Sequence, residues 1–398
     1  MKKVCVMGLG YIGLPTASFL GTKGYQVHGV DISPNVVDTI NRGDVHITEP
    51  ELDVLVKSAV QSGNLKAALE PAEADIFIIA VPTPLNGSHE PELSAVTKAT
   101  DAISPYIKPG NIVILESTSP VGTTDRLVAD RLRELGHKVG DEIHVAHCPE
   151  RVLPGRILAE LVGNDRIVGG IDDTSTTKAA DFYREFVAGE VLETTAATAE
   201  LAKLSENTFR DVNIALANEL SMICDDMDVD VWDLIALANR HPRVSILQPG
   251  PGVGGHCIAV DPWFIVAAAP SQARLIRTAR EVNIAKPEWV VEKIRARAEK
   301  FKRPTIACLG LAYKADIDDL RESPALDVVE KLREADLGEL LISEPYVKSH
   351  PDYDLVDWQE AVQRADIVVV LVDHRQFKGL KPKDLQERVL IDTRGMLR

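Results

Sequence analysis

A glycine-rich turn near the N-terminus constrains the fold of this chain more than any other feature of its sequence. The apolar run Val-Cys-Val-Met ends at Gly8, and glycines with the spacing GxGxxG then lead into a helix-like segment. In this motif the first glycine permits a tight turn, the second lets the backbone approach a pyrophosphate, and the third allows close packing of helix on strand. The pattern predicts a dinucleotide-binding turn with these residues against the cofactor: Gly8, Gly10, Tyr11, Ile12 and Gly13.

A carboxylate at the end of the second predicted strand bears on the choice of cofactor. Asp31 follows His28-Gly-Val30 and lies 18 residues after Gly13. A carboxylate at this position accepts hydrogen bonds from the ribose 2′-hydroxyl and repels a 2′-phosphate. Because no Arg or Lys directly follows Asp31, the sequence favours NAD over NADP. The alternative is a strand–turn–helix unit that binds no ligand.

The sequence divides into three blocks. In the first, β-rich runs alternate with helical patterns, which predicts parallel strands at 3–7, 26–30, 75–81, 112–116 and 143–146, joined by right-handed crossovers. The second block is helical, and its long pattern over 195–226 contains neither Gly nor Pro. From Pro304 the chain returns to alternating strands and helices. We therefore predict an α/β fold with domains at 1–194, 195–300 and 301–398.

The composition limits the partners of the chain. Asp plus Glu number 60 against 44 Lys plus Arg, a net charge of −16, whereas sequence-independent nucleic-acid binding needs a basic surface. Five cysteines without a CxxC pair indicate neither disulfides nor a zinc site, so we expect no metal and a reducing compartment. The apolar stretch 258–269 is interrupted by Asp261 and Pro262 and is far shorter than the ~20 residues of a membrane span. We predict a cytoplasmic protein that binds neither membranes nor nucleic acid.

Two hydroxyl-bearing segments follow apolar strands of the first block. Thr83 lies in Val-Pro-Thr-Pro, and Thr118 lies in Glu-Ser-Thr-Ser-Pro. Ligands of parallel sheets bind outside the carboxyl ends of the strands, so both threonines are candidates for contact with ribose, pyrophosphate or nicotinamide. Ordinary helix capping by Ser or Thr is the alternative.

A polar stripe follows the long central helix. Lys203, Asn207 and Arg210 are spaced i, i+4 and i+7, so they share one helical face. This face suits an anionic or polyol ligand, and the alternative is a solvated surface. Further along, His241 and Arg243 belong to a basic cluster that either binds phosphate or compensates the charge of a helix C-terminus.

One cysteine follows a turn that is very rich in glycine. Four glycines lie between residues 250 and 255, Cys257 follows, and His256 and Asp261 are its neighbours in sequence. Glycines let a backbone approach a ligand closely, and a thiolate beside such a turn is a candidate nucleophile. A buried structural cysteine is the alternative.

Taken together, these segments resemble the nucleotide-sugar 6-dehydrogenase family over essentially the whole chain. The resemblance rests on GLGYIGLP, VPTP, ESTSPVGTT, CPERVLPG, ELAKLSENTFRDVNIALANEL, PGPGVGGHCIAVDP and GLAYKADIDDLRESP, in this order. It implies an N-terminal NAD-binding Rossmann domain, a central long-helix domain through which two copies form a homodimer, and a C-terminal Rossmann-like domain that binds the UDP of a UDP-sugar. Both Rossmann-like domains are expected to contain parallel sheets.

The resemblance also implies roles for individual residues. Cys257 matches the family's nucleophile and Lys203 its proton donor or acceptor, with Asn207, Asp261, Glu150 and Thr118 at the other catalytic positions. Glu150 matches the glutamate of an Asn-Pro-Glu motif, although Cys148 stands at the Asn position, and Arg321 matches an arginine that touches NAD. The positions that hold the sugar nucleotide are Arg151, Val152, Lys203, Asn207, Arg210, His241, Arg243, Gly254, Tyr313 and Lys314.

The implied reaction is a four-electron oxidation of a primary alcohol to a carboxylate by two NAD, through a thiohemiacetal and a thioester on Cys257. The loop Val-Gly-Gly-His-Cys-Ile-Ala-Val-Asp replaces the Phe-Gly-Gly-Ser-Cys-Phe-Pro-Lys-Asp type that is typical of the UDP-glucose branch. This form favours the branch that oxidises UDP-N-acetyl-D-mannosamine for surface-polysaccharide synthesis. UDP-N-acetylglucosamine is the nearest competing substrate, and UDP-glucose is a more distant one.

Two further hypotheses belong to other classes. A two-electron 3-hydroxyacid dehydrogenase also pairs a Rossmann domain with a helical domain and a catalytic Lys near an Asn, but it lacks the nucleophilic cysteine and the block that begins near Pro304. An NAD-sensing regulatory protein without catalysis would be expected to lack Cys257 or Lys203, and both are present.

Overall fold

The computed structural model describes residues 2–152, 155–255 and 257–397 of the chain. The chain divides into two compact units, Met1–Ser205 and Glu206–Arg398, which we call the N-terminal unit and the C-terminal unit. Each unit contains one sheet of four or more strands covered by helices. Within the described residues, no helix is both long enough and apolar enough to cross a membrane.

An eight-stranded sheet forms the centre of the N-terminal unit. Its strands are β1 (Lys3–Met7), β2 (Gln26–Val30), β3 (Leu65–Ala68), β4 (Ile76–Ile79), β5 (Ile112–Leu115), β6 (His144–His147), β7 (Arg166–Gly170) and β8 (Val191–Thr195). Their order is β3-β2-β1-β4-β5-β6-β7-β8, and neighbours are parallel except β6 and β7. The first six strands have the order of a doubly wound dinucleotide-binding fold, whose ligand crevice lies where the order reverses, at β1 and β4.

Helices cover both faces of this sheet because its central strands are apolar on both sides. The helices are α1 (Gly13–Thr22), α2 (Pro34–Asn41), α3 (Leu52–Gln61), α4 (Ser94–Ile103), α5 (Asp130–Glu134), α6 (Ile157–Gly163) and α7 (Asp173–Arg184). β4 reads Ile-Phe-Ile-Ile and is buried throughout, as expected for a strand covered on both faces. One hydrophobic core packs α1, α2, α3, α6 and α7, and a second packs α4, α5 and the π-helical segment Thr124–Ala129.

The C-terminal unit combines long helices with a smaller parallel sheet. Its helices are α8 (Ala196–Asp226), which begins in the N-terminal unit, α9 (Val231–Ala238), α10 (Asp261–Ala268), α11 (Arg274–Ala298), α12 (Pro324–Ala335) and α13 (Trp358–Arg364). Its strands are β9 (Thr305–Leu309), β10 (Glu339–Ser343), β11 (Ile367–Val370) and β12 (Val389–Asp392), in the order β10-β9-β11-β12. One core packs α11 and α12 and another packs α13.

The predicted α/β fold with two Rossmann-like sheets is confirmed, with one departure in the pairing of strands. β6 and β7 run antiparallel over a short register, Ala146 opposite Gly170 and His147 opposite Gly169. The connection that contains α6 re-enters the sheet at the end where β6 leaves it, so it makes no crossover. The first sheet is therefore mixed, whereas the second is parallel throughout its described strands.

Candidate active site

The glycine turn of the N-terminal unit has the geometry that an NAD pyrophosphate requires. Gly8 has φ +92°, and a Cβ there would lie 2.5 Å from the carbonyl oxygen of Ala80. A Cβ on Gly13 would lie 1.8 Å from the carbonyl oxygen of Gly8, so helix α1 packs directly on the turn. A Cβ on Gly10 would meet no atom within 4 Å, so the backbone faces open space there. The turn thus leaves room for a phosphate at the first turn of α1.

Asp31 lies at the end of β2 and is held by two backbone groups. Its Oδ2 accepts from the N–H of Leu9 at 3.1 Å, and its Oδ1 accepts from the N–H of Ser33 at 2.9 Å. A carboxylate offers about four acceptor sites, so a half-buried Asp31 retains acceptor capacity for a ribose diol. These residues fit NAD.

The two predicted threonine loops lie together in the N-terminal unit. Thr83 Oγ1 donates to the carbonyl oxygen of Thr118 at 2.6 Å, and Ser117 Oγ donates to the carbonyl oxygen of Val81 at 2.8 Å. The loops join because they follow the adjacent parallel strands β4 and β5. The structure therefore places Thr83 and Thr118 at the carboxyl ends of the central strands, where the dinucleotide turn also lies.

The first turns of α8 carry a buried carboxylate that the sequence reasoning missed. Glu200 accepts from Gly122 N at 2.5 Å, from Thr124 N at 2.8 Å and from Thr124 Oγ1 at 2.6 Å. These bonds anchor α8 to the loop that follows Thr118. Lys203 comes three residues later on the same helix and is 9% exposed. Glu200 therefore fixes the part of α8 that presents Lys203.

Glu150 is buried in the N-terminal unit with an arginine partner. Its Oε2 accepts from Arg166 Nη1 at 2.6 Å, and its Oε1 accepts from the backbone N–H groups of Arg151 at 2.6 Å and Val152 at 3.1 Å. The arginine and the two N–H groups hold the carboxylate of Glu150 in a fixed orientation. Arg166 had no signal in the sequence, because it lies in a β-rich run outside every motif.

A second buried carboxyl lies near this ion pair. Glu116 accepts from Tyr183 Oη at 2.6 Å, and burial raises the pKa of Glu116 to about 7 against the opposing effect of Arg166. Burial also raises the pKa of Cys148 to about 12, so this cysteine is an inert thiol at neutral pH. Burial therefore raises the pKa of both groups, and it leaves Cys148 outside the set of candidate nucleophiles.

In the C-terminal unit, the predicted polar partners of Cys257 are in contact with each other. Asn207 Nδ2 donates to Asp261 Oδ2 at 2.6 Å, and both side chains are buried. The N–H of Asp261, the first residue of α10, donates to the carbonyl oxygen of Cys257 at 2.8 Å, so a turn connects the cysteine to the start of this helix. Cys257 itself is half-buried. His256 lies outside the described residues.

The glycines before Cys257 are required by close packing. A Cβ on Gly254 would lie 2.2 Å from the carbonyl oxygen of Glu322, and a Cβ on Gly255 would lie 2.8 Å from the ring of Tyr313. Gly252 has φ +150° and approaches the carbonyl oxygen of Asn283. Because Pro287 has no N–H, this carbonyl lacks its usual helical donor within α11. These contacts fix the path of the chain that leads to Cys257.

A buried hydrogen-bond network, which no sequence motif indicated, also holds this segment. Arg280 Nη1 and Asn283 Nδ2 donate to Asp211 Oδ1 at 2.6 and 2.8 Å. Asn218 Nδ2 donates to Asn283 Oδ1 at 2.9 Å, and Asn218 Oδ1 accepts from Gly250 N at 2.9 Å. The network ties α8 and α11 to the start of the glycine-rich segment.

The predicted sugar-nucleotide residues differ in how far they are buried. Lys203 and Asn207 are buried, so the polar stripe on α8 is not a solvated surface at these two positions. Four predicted sugar-nucleotide cations are exposed, namely Arg210, His241, Arg243 and Lys314, whereas Arg151, Val152 and Tyr313 are half-buried and Gly254 is buried. Arg321, a predicted NAD contact, is also exposed. The guanidinium of Arg321 pairs with Asp319 at 2.6 Å. The contribution of these cations to ligand binding remains a prediction.

Three family descriptions match consecutive parts of the chain. The NAD binding domain of the UDP-glucose/GDP-mannose dehydrogenase family matches residues 2–187, its central domain matches residues 197–285, and its UDP binding domain matches residues 307–398. The chain therefore belongs to this family of NAD-dependent nucleotide-sugar 6-dehydrogenases. The match to residues 307–398 favours this class over a 3-hydroxyacid dehydrogenase.

Individual relatives are similar over nearly their whole length. A protein from Ralstonia nicotianae named NDP-N-acetyl-D-galactosaminuronic acid dehydrogenase is 56% identical, covering 99% of this chain and 96% of that protein. A UDP-N-acetyl-D-mannosamine dehydrogenase from Campylobacter jejuni is 55% identical, covering 94% of this chain and 96% of that protein. The solved UDP-N-acetyl-mannosamine dehydrogenase of Staphylococcus aureus has a TM-score of 0.91 and 44% identity, covering 100% of this chain and 96% of that one.

Proposed function

We propose that this enzyme oxidises UDP-N-acetyl-D-mannosamine at C6 to UDP-N-acetyl-D-mannosaminuronate with two NAD, and so supplies surface-polysaccharide synthesis. The observation that carries the chemistry is the half-buried Cys257, which follows a packed glycine segment and lies one turn before Asp261, the partner of the buried Asn207. The substrate rests on relatives that bear this activity in their names at 50–55% identity.

The first oxidation requires a base near the C6 hydroxyl. NAD held at the glycine turn by Gly8, Gly10 and Asp31 would supply the hydride acceptor for C6. Lys203 and Asp261 are the candidate bases for the hydroxyl proton, and Asn207 orients Asp261 through its 2.6 Å hydrogen bond. Loss of the hydride and the proton converts the alcohol into an aldehyde.

The second oxidation requires a nucleophile, because an aldehyde cannot release a further hydride before something adds to its carbon. The Cys257 thiolate adds to the aldehyde carbon and forms a thiohemiacetal. This adduct loses a hydride from C6 and a proton from its hydroxyl, which leaves a thioester on the sulfur. The Lys203 ammonium stabilises the oxyanion character of the tetrahedral stages.

Hydrolysis of the thioester completes the reaction. Water adds to the thioester carbonyl, the Cys257 sulfur leaves, and the uronate is released. Glu150 is the proposed helper, since Arg166 and two backbone N–H groups hold its carboxylate as a fixed anion that can orient the water. For each carboxylate formed, two NAD and one water are consumed, and two hydrides are transferred from C6.

Binding of NAD and of the sugar nucleotide is assigned to separate groups of residues. The pyrophosphate of NAD is assigned to Gly8, Gly10 and Gly13, and its adenosine ribose to Asp31. The other residues proposed to contact NAD are Tyr11, Ile12, Thr83, Thr118 and Arg321. The UDP-sugar is assigned to Arg151, Val152, Arg210, His241, Arg243, Gly254, Tyr313 and Lys314, in addition to Lys203 and Asn207. The three matched regions support a division into domains at 1–194, 195–300 and 301–398.

The proposed assembly is a homodimer formed through the central helices, in the cytoplasm. Four large apolar side chains on α8 are exposed and recur every seven or eight residues: Leu201, Phe209, Leu216 and Ile223. This spacing forms one helical stripe of the kind that packs against another helix. None of the five cysteines forms a disulfide within the described part of the chain, which supports a reducing compartment. Light scattering should give twice the chain mass of 43.4 kDa, and a monomer at micromolar concentration would contradict the dimer.

Substrate choice is tested by comparing sugar nucleotides under identical conditions. The expected result is a kcat/KM for UDP-N-acetyl-D-mannosamine at least ~100-fold above that for UDP-glucose, because a site that binds an acetamido group is left with unpaired polar groups when that group is missing. UDP-N-acetylglucosamine and UDP-N-acetylgalactosamine complete the panel, and the latter is included because of the galactosaminuronic acid relative at 56% identity. Preference for another sugar would reassign the substrate, and inactivity on all four would contradict the function.

A further inference from the structure

The dinucleotide turn of the N-terminal unit contains a recognisable arrangement of glycine, backbone and carboxylate. The N–H of Gly8 donates to the carbonyl oxygen of Val30 at 2.8 Å, and Gly8 has φ +92°. Asp31 directly follows Val30, the last residue of β2, and its carboxylate accepts from the N–H of Leu9 at 3.1 Å. One strand thus ends in a glycine turn, and the neighbouring strand ends in a carboxylate that binds this turn.

The C-terminal sheet repeats this arrangement. The N–H of Gly310 donates to the carbonyl oxygen of Ser343 at 2.8 Å, and Gly310 has φ +95°. The residue after Ser343 is Glu344, whose Oε2 accepts from the N–H of Leu311 at 2.7 Å. β9 and β10 therefore correspond to β1 and β2, and Glu344 corresponds to Asp31.

The two carboxylates differ in what they can still bind. Asp31 is half-buried, whereas the side chain of Glu344 is fully buried. Beyond Leu311, Glu344 Oε2 accepts from Ala312 N at 3.0 Å and lies 3.0 Å from His374 Nε2, while Oε1 accepts from Tyr346 N at 3.0 Å. Three backbone donors and a buried ring thus surround Glu344, and a ribose cannot reach it.

The tautomer of His374 follows from its second contact. The N–H of Asp316 donates to His374 Nδ1 at 2.9 Å, so Nδ1 carries no proton. The proton of the neutral ring is therefore on Nε2, which donates to Glu344. The ring is fully buried and lies against Tyr346, with 5.0 Å between the ring centroids. His374 thus connects Glu344 to the backbone at Asp316.

These contacts hold both ends of one short segment. Leu311 and Ala312 are bound to Glu344, and Asp316 is bound to His374, so residues 313–315 lie between two fixed points. Asp316 has φ +63°, a left-handed conformation that is unfavourable for a residue other than glycine. Its Oδ1 accepts from Tyr346 Oη and from the N–H of Arg375, both at 2.9 Å, which stabilises this conformation.

We propose that Glu344 and His374 are positioning residues for the substrate nucleotide. Glu344 stands where a cofactor-binding carboxylate stands in the other sheet, but together with His374 it holds residues 311–316, which we call the locked segment, in one conformation. This conformation sets the backbone from which Tyr313 and Lys314 reach UDP, and so this inference rests on the proposed function. The ring of Tyr313 also packs against Gly255, two residues before Cys257. A shift of the locked segment would therefore displace both the nucleotide contacts and the support of the glycine segment.

Two substitutions of His374 separate the two contacts of its ring. His374→Asn retains an acceptor for the N–H of Asp316 and removes the donor to Glu344, whereas His374→Gln retains a donor at the Nε2 position and removes that acceptor. Each should raise the KM for the UDP-sugar about fivefold to tenfold, with kcat changed less than about twofold and the KM for NAD unchanged. His350→Gln is the matched control, because the ring of His350 packs on Tyr353 in the same unit and has no part in the contacts of Glu344. This variant should leave all three constants unchanged.

Direct binding and a double mutant distinguish positioning from a general loss of stability. Calorimetric titration with UDP alone should show affinity reduced about fivefold to tenfold by His374→Asn, and Lys314→Ala combined with it should weaken binding by less than the product of the two single effects. Tyr346→Phe, which removes only the hydroxyl bond to Asp316, provides a milder variant if His374→Asn does not fold. A lower melting temperature with unchanged UDP affinity, or fully multiplicative effects, would overturn the proposal. If wild type binds UDP but oxidises no UDP-sugar, the proposed function fails while the UDP titrations still decide this inference.

Discussion

Replacing Cys257 with alanine should reduce net oxidation of the UDP-sugar by at least ~10³-fold, because no other group in the proposed mechanism can form the adduct that releases the second hydride. The loss should appear in kcat, with the KM for the UDP-sugar and for NAD nearly unchanged. At most a trace of aldehyde should form. Since Cys257 is half-buried, its removal should cost less than about 1 kcal/mol of unfolding free energy. The measurements are the initial rate of NADH formation and the denaturation midpoint.

Cys257→Ser and a second cysteine variant sharpen this test. The serine variant should accumulate a covalent or slowly resolved adduct, visible as a mass increase of the intact protein, because an oxygen ester is harder to hydrolyse than a thioester. Cys224→Ala is the control, since Cys224 is buried in α8 and outside the proposed machinery, and it should retain wild-type turnover. Near-wild-type oxidation by Cys257→Ala would show that the nucleophile is wrongly assigned.

Replacing Lys203 with methionine should lower kcat by ~10²–10³-fold, because the ammonium that stabilises oxyanion character in both tetrahedral stages is lost. Methionine retains most of the apolar stem and suits a side chain that is only 9% exposed, so the fold should persist. Lys203→Arg should recover part of the rate if charge is what matters. The measurement is steady-state kinetics with both substrates at saturation, followed by single-turnover analysis of the two hydride steps.

A second buried lysine provides the control for this substitution. Lys286 is 2% exposed in α11, its Nζ donates to Ser221 Oγ at 2.6 Å, and burial lowers the pKa of its ammonium to about 7. Lys286→Met makes the same substitution at a buried lysine outside the proposed machinery and should leave kcat within about twofold of wild type. Equal losses in the two variants would mean that any buried lysine change impairs the enzyme. An unchanged kcat in Lys203→Met would contradict the catalytic role of Lys203.

Local sequence signals were sufficient for the elements with strong and uninterrupted patterns. The glycine turn predicted β1, α1 and the position of Asp31, and the absence of Gly and Pro predicted α8 almost to the residue. Shorter elements escaped prediction. β3 reads Leu-Lys-Ala-Ala, and the apolar run of β10 is only Leu-Leu-Ile between a glutamate and a serine, so both signals are weaker than the Ile-Phe-Ile-Ile of β4.

The candidate site was predictable only as far as its motifs extend. The burial of Lys203 and Asn207 could not be read from their spacing, because the partner of Asn207, Asp261, lies 54 residues away in sequence. The contact between Glu344 and His374 could not be predicted for the same reason, since the two residues lie 30 residues apart and neither belongs to a motif. Pairs of this kind arise when separate strands or helices meet, and a single sequence carries no local pattern for them.

The stoichiometry of NADH tests the central claim most directly. Purified enzyme with excess NAD is allowed to exhaust a limiting, known amount of UDP-N-acetyl-D-mannosamine, and NADH and the sugar-nucleotide product are quantified at the endpoint. A four-electron oxidation through Cys257 predicts two NADH and one uronate for each UDP-sugar consumed, with no free aldehyde. One NADH for each sugar, with the aldehyde as final product, would contradict the account.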